Sequence, residues 1–291
     1  MFETIEELVE LAHQHGSISE VMITTEMEVS QRSREVIIEH MERNLTVMMA
    51  SIEKGVKGVT SVTGLTGGDA TRMKDYIDKG DFLSGKTILT AAQNAIAVNE
   101  VNAEMGLICA TPTAGSAGVA AGVLSALNDE RHLTLEQQLN FLFTAGAFGL
   151  IIANKASISG AAGGCQAEIG SASAMASAAL VEVCGGTPEQ SAQAAAITIK
   201  NMLGLICDPV AGLVEVPCVK RNALGASQAF ISADMALAGI TSVIPPDEVV
   251  ETMHRVGMQM PSIFKETAEG GLAASKTGKE IMERLYSKGS N

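Results

Sequence analysis

Five cysteines stand at positions 109, 165, 184, 207 and 218, and three of them occupy places where a thiolate can act as a ligand. Cys165 follows Gly163-Gly164, Cys207 precedes Asp208-Pro209, and Cys218 follows Val216-Pro217, contexts that predict loops or helix ends. Thiolates at such places commonly hold iron-sulfur clusters, because nearby backbone N–H groups hydrogen-bond to sulfur and disperse its charge. The intervals of 42 and 11 residues match no compact ferredoxin-type run. A free cysteine is also a small buried hydrophobe, so spacing alone leaves metal ligand and apolar filler both open. Cys184, before Gly185-Gly186, and Cys109, ending the apolar run from Met105, read as core or near-site residues. If three thiolates held a cubane cluster, its fourth iron would lack a thiolate from this set and could act as a Lewis acid.

Two other segments carry chemical suggestions. Gly80-Asp81-Phe82-Leu83-Ser84-Gly85-Lys86-Thr87 satisfies the P-loop pattern, which would make the chain a nucleotide-binding protein. A P-loop follows a buried strand, whereas the charged run from Arg72 to Lys79 predicts a helix. Lys155 precedes the small-residue stretch from Ser157 to Gly164, an arrangement that could cradle pyridoxal phosphate. That chemistry needs an α/β fold, and Lys155 also reads as a cation favoured at a helix C-terminus.

The elements that must position these groups are helical. Apolar residues make up 46% of 291 residues, but aromatics only 3% and Trp is absent, so small and aliphatic side chains must fill a closely packed interior. Ala-rich helical stretches are expected at about 86–103, 135–155, 170–184, 188–204 and 222–240. Helix starts are marked by Ser17 with Glu20, Thr134 with Gln137, Thr187 with Gln190, and Pro245-Pro246-Asp247. The first helix should run from Phe2 to Ala12 and end at Gly16, and the Ser17 start should continue towards Met49. Alternating β-branched runs are few. The expected architecture is mainly α, a single catalytic domain over 1–291, with glycine-rich loops around the cysteine site.

A net charge of −13 argues against a nucleic-acid surface. The longest nearly apolar stretch, Phe141 to Ala153, is shorter than the roughly 20 residues that cross a bilayer and reads as a buried helix. The acidic start, Met1 to Glu10, carries no signal-peptide pattern, so the cytoplasm is expected; thiols there stay reduced, which speaks against a disulfide framework.

Two stretches are specific enough to carry a resemblance: Ser157-Ile158-Ser159-Gly160-Ala161-Ala162-Gly163-Gly164-Cys165-Gln166-Ala167-Glu168, and Asp208-Pro209-Val210-Ala211-Gly212-Leu213-Val214-Glu215-Val216-Pro217-Cys218. They resemble the signatures of the iron-sulfur L-serine dehydratases. The likeness extends through Arg221-Asn222-Ala223, Glu100-Val101-Asn102-Ala103, Pro112-Thr113-Ala114-Gly115-Ser116-Ala117-Gly118 and Glu266-Thr267-Ala268-Glu269-Gly270-Gly271-Leu272-Ala273, close to the whole chain.

The resemblance implies the α chain of the two-chain type, with a β-chain partner, L-serine as substrate and room for a higher oligomer. It implies a 4Fe-4S cluster on Cys165, Cys207 and Cys218, and a lyase of amino-acid degradation that supplies pyruvate for gluconeogenesis. Some single-chain members place a C-terminal cysteine on the fourth iron. No cysteine follows Cys218 here, so that iron is expected to be open. Many relatives carry Cys where this chain has Ala117.

Serine's carboxylate is expected against the loop of Thr113, Gly115, Ser116 and Gly118; an ordinary helix N-terminus accounts for each of these residues equally well. The base that removes the Cα proton is not identified by sequence. Lys155, Glu168 and Asp208 are the nearby candidates, the partner chain is another source, and the histidines at 13, 15, 40, 132 and 254 are expected on the surface. A non-catalytic iron-sulfur carrier is the remaining alternative, beside the P-loop reading.

Overall fold

The computed structural model describes residues 2–287; Met1 and the four residues from Lys288 to Asn291 lie outside them. The elements in order are α1 (Ile5–His15), α2 (Ile18–Ser30), α3 (Arg34–Lys57), α4 (Asp69–Asp78), α5 (Lys86–Ala103), α6 (Ala117–Arg131), α7 (Leu135–Lys155), α8 (Gly160–Gly163), α9 (Ser171–Val183), α10 (Pro188–Met202), α11 (Cys218–Leu237), α12 (Pro246–Gln259) and α13 (Lys276–Ser287). A π-helical turn, Gln166–Gly170, leads into α9. Among the described residues there are isolated bridges but no strand. The mainly α expectation holds.

Local signals explain many of the boundaries. Thr134 with Gln137 and Thr187 with Gln190 form complete capping boxes at α7 and α10. Ser17 caps α2, but Glu20 turns away from the cap and pairs with Arg34 instead. The first helix is shifted towards the C-terminus of the expected span, because Thr4 and Glu7 form a capping box there. The helix expected to run unbroken from Ser17 towards Met49 is interrupted: Gln31 adopts a left-handed conformation with φ of 55°, and Ser33 starts α3.

The centre of the protein is built from α5, α6, α7, α9, α10 and α11, which pack against one another in an apolar core dominated by Ala, Val, Ile and Leu. Small residues let these helices approach. An added Cβ on Gly118 would lie 2.2 Å from Ala95 O, and one on Gly122 would lie 2.6 Å from Ala91 O. Two glycines one turn apart on α6 thus lie against the α5 backbone, the close packing expected of a chain poor in aromatics.

Because consecutive helices run back and forth, α5, α7 and α10 end where α6, α9 and α11 begin. Their connections, residues 104–116, 156–170 and 203–217, gather at one end of the bundle. The turns at 132–134 and 184–187 belong to the opposite end. No helix among the described residues is long and apolar enough to cross a membrane.

Candidate cysteine-carboxylate site

The 156–170 connection delivers Cys165, the 203–217 connection delivers Cys207 and leads into Cys218, and the 104–116 connection brings Thr113 and Gly115 beside them. Cys165 follows α8 and Gly164, whose φ of 77° turns the chain into the π-helical segment. Gln166 fixes this turn: its N–H donates to Leu205 O at 2.9 Å, its side-chain amide donates to Met253 O at 3.0 Å, and its carbonyl accepts from Gly204 N at 2.9 Å. Cys207 is held by a short parallel bridge to the segment before Gly270, with its N–H donating to Phe264 O at 2.8 Å and its carbonyl accepting from Glu266 N at 2.9 Å. Cys218 opens α11, reached through a tight loop closed by Val210 N donating to Val216 O at 2.8 Å.

The three thiols share one electrostatic environment. The Cys207 thiol and the Arg221 guanidinium both lie beside the Cys165 sulfur. That pairing holds Cys165 below the ordinary thiol range and Cys207 well above it. Burial, with the negative charges of Cys165 and Glu168 nearby, pushes Cys218 up to about 12. Binding a metal through these thiols requires losing their protons, so loading is favoured by rising pH.

Carboxylates complete the site. Glu168 projects from the π-helical turn, a departure from α geometry that often accompanies functional sites. Its Oε1 accepts from Thr113 Oγ1 at 2.7 Å, and burial followed by repulsion from Glu266 raises its pKa despite that bond. An added Cβ on Gly160 would stand 2.9 Å from both Cys207 Sγ and Glu168 Oε2 and 3.4 Å from Glu266 Oε2. One on Gly115 would stand 2.9 Å from Glu168 Oε1. The two glycines therefore line a space whose other walls are thiols and carboxylates.

Cys165, Cys207, Cys218, Glu168, Asp208, Thr113 and Gly115 are thus brought to one region. Asp208 is buried, with Oδ2 accepting Leu272 N–H at 2.7 Å and Oδ1 ion-paired to Arg221 at 2.8 Å without a hydrogen bond of good geometry. Ser116 braces Thr113, with the two hydroxyls 3.0 Å apart. Gly118 has its N–H occupied by Asn99 Oδ1 and Asn222 Oδ1, both at 3.1 Å. Lys155 lies at the exposed end of α7, 3.8 Å from Glu3. Ala117 is buried at the start of α6.

The remaining sequence features fall elsewhere. Cys109 is half-buried beside Thr111, and Cys184 caps α9 at the opposite end of the bundle, near Arg131 and Asp234. The P-loop-like segment also lies at that opposite end. It follows α4 rather than a strand, and Thr87 donates to Glu130 at 3.1 Å. All five histidines are exposed.

Two contributors escaped residue-by-residue reading. Glu266 opens one of the stretches that carry the likeness, but only the bridge to Cys207 brings it to Glu168. Arg221 stands in a recognisable stretch, but its role depends on contacts far along the chain. Its position three residues after Cys218, on the same helical face, is the signal that could have found it.

Among the described residues no three His, Cys, Asp or Glu side chains are grouped to hold a single metal ion. The donor set nevertheless fits an iron-sulfur cluster, which takes its thiolates on different irons. Three buried soft sulfurs are gathered, two of them, Cys165 and Cys218, near the Arg221 guanidinium and the third, Cys207, against a glycine whose Cβ would crowd it.

The family model described as "Serine dehydratase alpha chain" matches residues 13–273. A Bacillus subtilis protein named "Probable L-serine dehydratase, alpha chain" is 61% identical over 98% of this chain and 96% of its own length. The "L-serine dehydratase, alpha chain" of Peptoniphilus asaccharolyticus is 42% identical over 99% of this chain and its full length. An Escherichia coli L-serine dehydratase is 36% identical over 94% of this chain, but only 61% of that longer protein is covered.

Proposed function

This chain belongs to the serine dehydratase alpha chain family, and from that premise we propose that it is the catalytic chain of an L-serine ammonia-lyase carrying a 4Fe-4S cluster on Cys165, Cys207 and Cys218. The observation that carries this reading is the convergence of three buried thiols, one from the connection before α9 and two from the connection into α11, on Arg221, Glu168 and Thr113. Residues 1–291 act as one catalytic domain in the cytoplasm, completed by the β chain that the relatives' names imply.

The cluster, when bound, supplies Lewis acidity for the departing β-hydroxyl of serine. The protein supplies position and proton transfer. Loss of the Cα proton and the β-hydroxyl removes one water and leaves an enamine, which tautomerises and hydrolyses to pyruvate and ammonium. Glu168 is the best-placed proton acceptor among the three candidates. It borders the cysteine site, and burial raises its proton affinity towards the range useful for general base catalysis. Asp208 is committed to Arg221 and Leu272, and Lys155 is outside the site. Thr113 and Gly115 face Glu168 and form the wall against which the serine carboxylate rests, with Ser116 as the brace.

The test is pyruvate formation from L-serine by the full chain with its β chain, purified anaerobically, with and without iron and sulfide. Activity that depends on both iron and sulfide supports the reading. Full activity in a preparation stripped of iron overturns it.

A further inference from the structure

Arg221 follows Cys218 by three residues on α11, so the two side chains share a face of the helix. Its side chain is only 15% exposed and reaches three groups. Nη1 donates to Ile206 O at 2.8 Å, Nη2 lies 2.8 Å from Asp208 Oδ1, and the guanidinium sets its charge beside the Cys165 thiol. Ile206 and Asp208 are the neighbours of Cys207 on either side. One guanidinium therefore bears on all three ligand segments: Cys218 through its own helix, Cys207 through both flanking residues, and Cys165 through the charge placed beside its thiol.

Charge gives the arrangement a second consequence. The site gathers Asp208, Glu168, Glu266 and three thiols that become anionic on binding metal, and Arg221 is the cation set against Cys165 and Cys218. A planar fork can bind a carbonyl, a carboxylate and a sulfur at fixed angles, whereas an ammonium is a single point charge on a flexible stem.

We propose that Arg221 is the positioning residue of the cluster site, registering the three cysteine segments and balancing the charge of the thiolates. The inference rests on the functional reading above. Its two parts separate by substitution: Arg221→Lys keeps the charge and loses the fork, while Arg221→Gln loses both.

The full chain and both variants are reconstituted anaerobically with ferrous iron and sulfide. Circular dichroism checks the fold, iron loss to a chelator is followed by visible absorbance, and the reduction potential of the cluster is measured. Arg221→Gln should lose iron roughly ten- to hundredfold faster than the wild type, the usual effect of removing a partner that orients metal ligands. Its potential should fall, because an electron added beside a missing cation is less stabilised. Arg221→Lys should lose iron faster than the wild type yet keep a potential nearer to it. A purely structural ion pair with Asp208 would move neither the potential nor its rescue by lysine.

If Arg221→Gln does not fold, Arg221→Lys decides the matter: a folded lysine variant that keeps iron as long as the wild type overturns the proposal. Wild-type iron uptake with unchanged retention and potential in both variants overturns it alone. Failure of the wild type to take up iron and sulfide overturns the functional reading, and this inference with it.

Discussion

Asn99 on α5 and Asn222 on α11 are both fully buried and make the same pair of hydrogen bonds. Each side-chain amide donates to Gly115 O at 2.8 Å, and each side-chain carbonyl accepts the Gly118 N–H at 3.1 Å. Gly118 lies in the first turn of α6, where a backbone N–H has no partner within the helix. The two asparagines thus clamp the loop that carries Thr113 and Gly115 from both sides.

Replacing either one by Ala removes bonds with a net worth of about 1 kcal/mol each, but the other asparagine still pairs both glycine groups. Replacing both strands a buried carbonyl and a buried N–H, at about 1–3 kcal/mol apiece. The double variant should therefore lose about 2 kcal/mol or more beyond the sum of the single losses, provided the loop does not relax into solvent. In a domain of this size that excess corresponds to a Tm lower by about 3 °C or more. The assay is chemical denaturation of wild type, Asn99→Ala, Asn222→Ala and the double variant, followed by far-ultraviolet circular dichroism. Losses that add to within about 0.5 kcal/mol would refute the redundant clamp.

Three further outcomes follow from particular contacts. Gly160→Ala should abolish pyruvate formation while leaving a folded chain, because its Cβ would enter a space bounded at 2.9 Å by Cys207 and Glu168; activity and circular dichroism measured together check this. Gly118→Ala should instead cost about 3 kcal/mol or more, since the Cβ would meet the Ala95 carbonyl at 2.2 Å in an overpacked core, and a denaturation curve reads the loss. The Arg34 side chain, bonded to Glu20, holds that carboxyl below its ordinary range, so the pair's stabilisation is present above the unfolded carboxylate pKa and is lost as pH falls through the folded one. Both groups are partly exposed, so the stability gap between wild type and Arg34→Gln should be no more than about 1 kcal/mol at neutral pH and should close in acid, as measured by denaturation across that range.

The local rules carried the sequence reading far where a boundary depends on a few adjacent residues. Thr134 and Thr187 caps set the starts of α7 and α10, and Gly16, with φ of 96°, ends α1 as expected. They failed between α2 and α3, where residues compatible with a continuous helix are broken by a left-handed Gln31 that no glycine or proline announces. The site divides in the same way. Glycine and proline next to three cysteines marked candidate ligand positions, and the resemblance then distinguished these from Cys109 and Cys184.

What stayed hidden was long-range. Glu266 reaches the site through a bridge to Cys207, and Gly118 serves the approach of two helices and the asparagine clamp. Lys155 adjoins a signature stretch, but the end of α7 directs it towards Glu3 instead of the thiols. Proximity along the chain could not distinguish Lys155 from Glu168.

The most direct test of the account is the iron and sulfide content, together with L-serine-dependent pyruvate formation, of anaerobically prepared wild type and of the five single Cys→Ala variants, each with the β chain present. The account predicts that Cys165→Ala, Cys207→Ala and Cys218→Ala lose both the cluster and pyruvate formation, whereas Cys109→Ala and Cys184→Ala keep both. Undiminished pyruvate formation in Cys207→Ala, or loss of the cluster in Cys184→Ala with its fold intact, would contradict it.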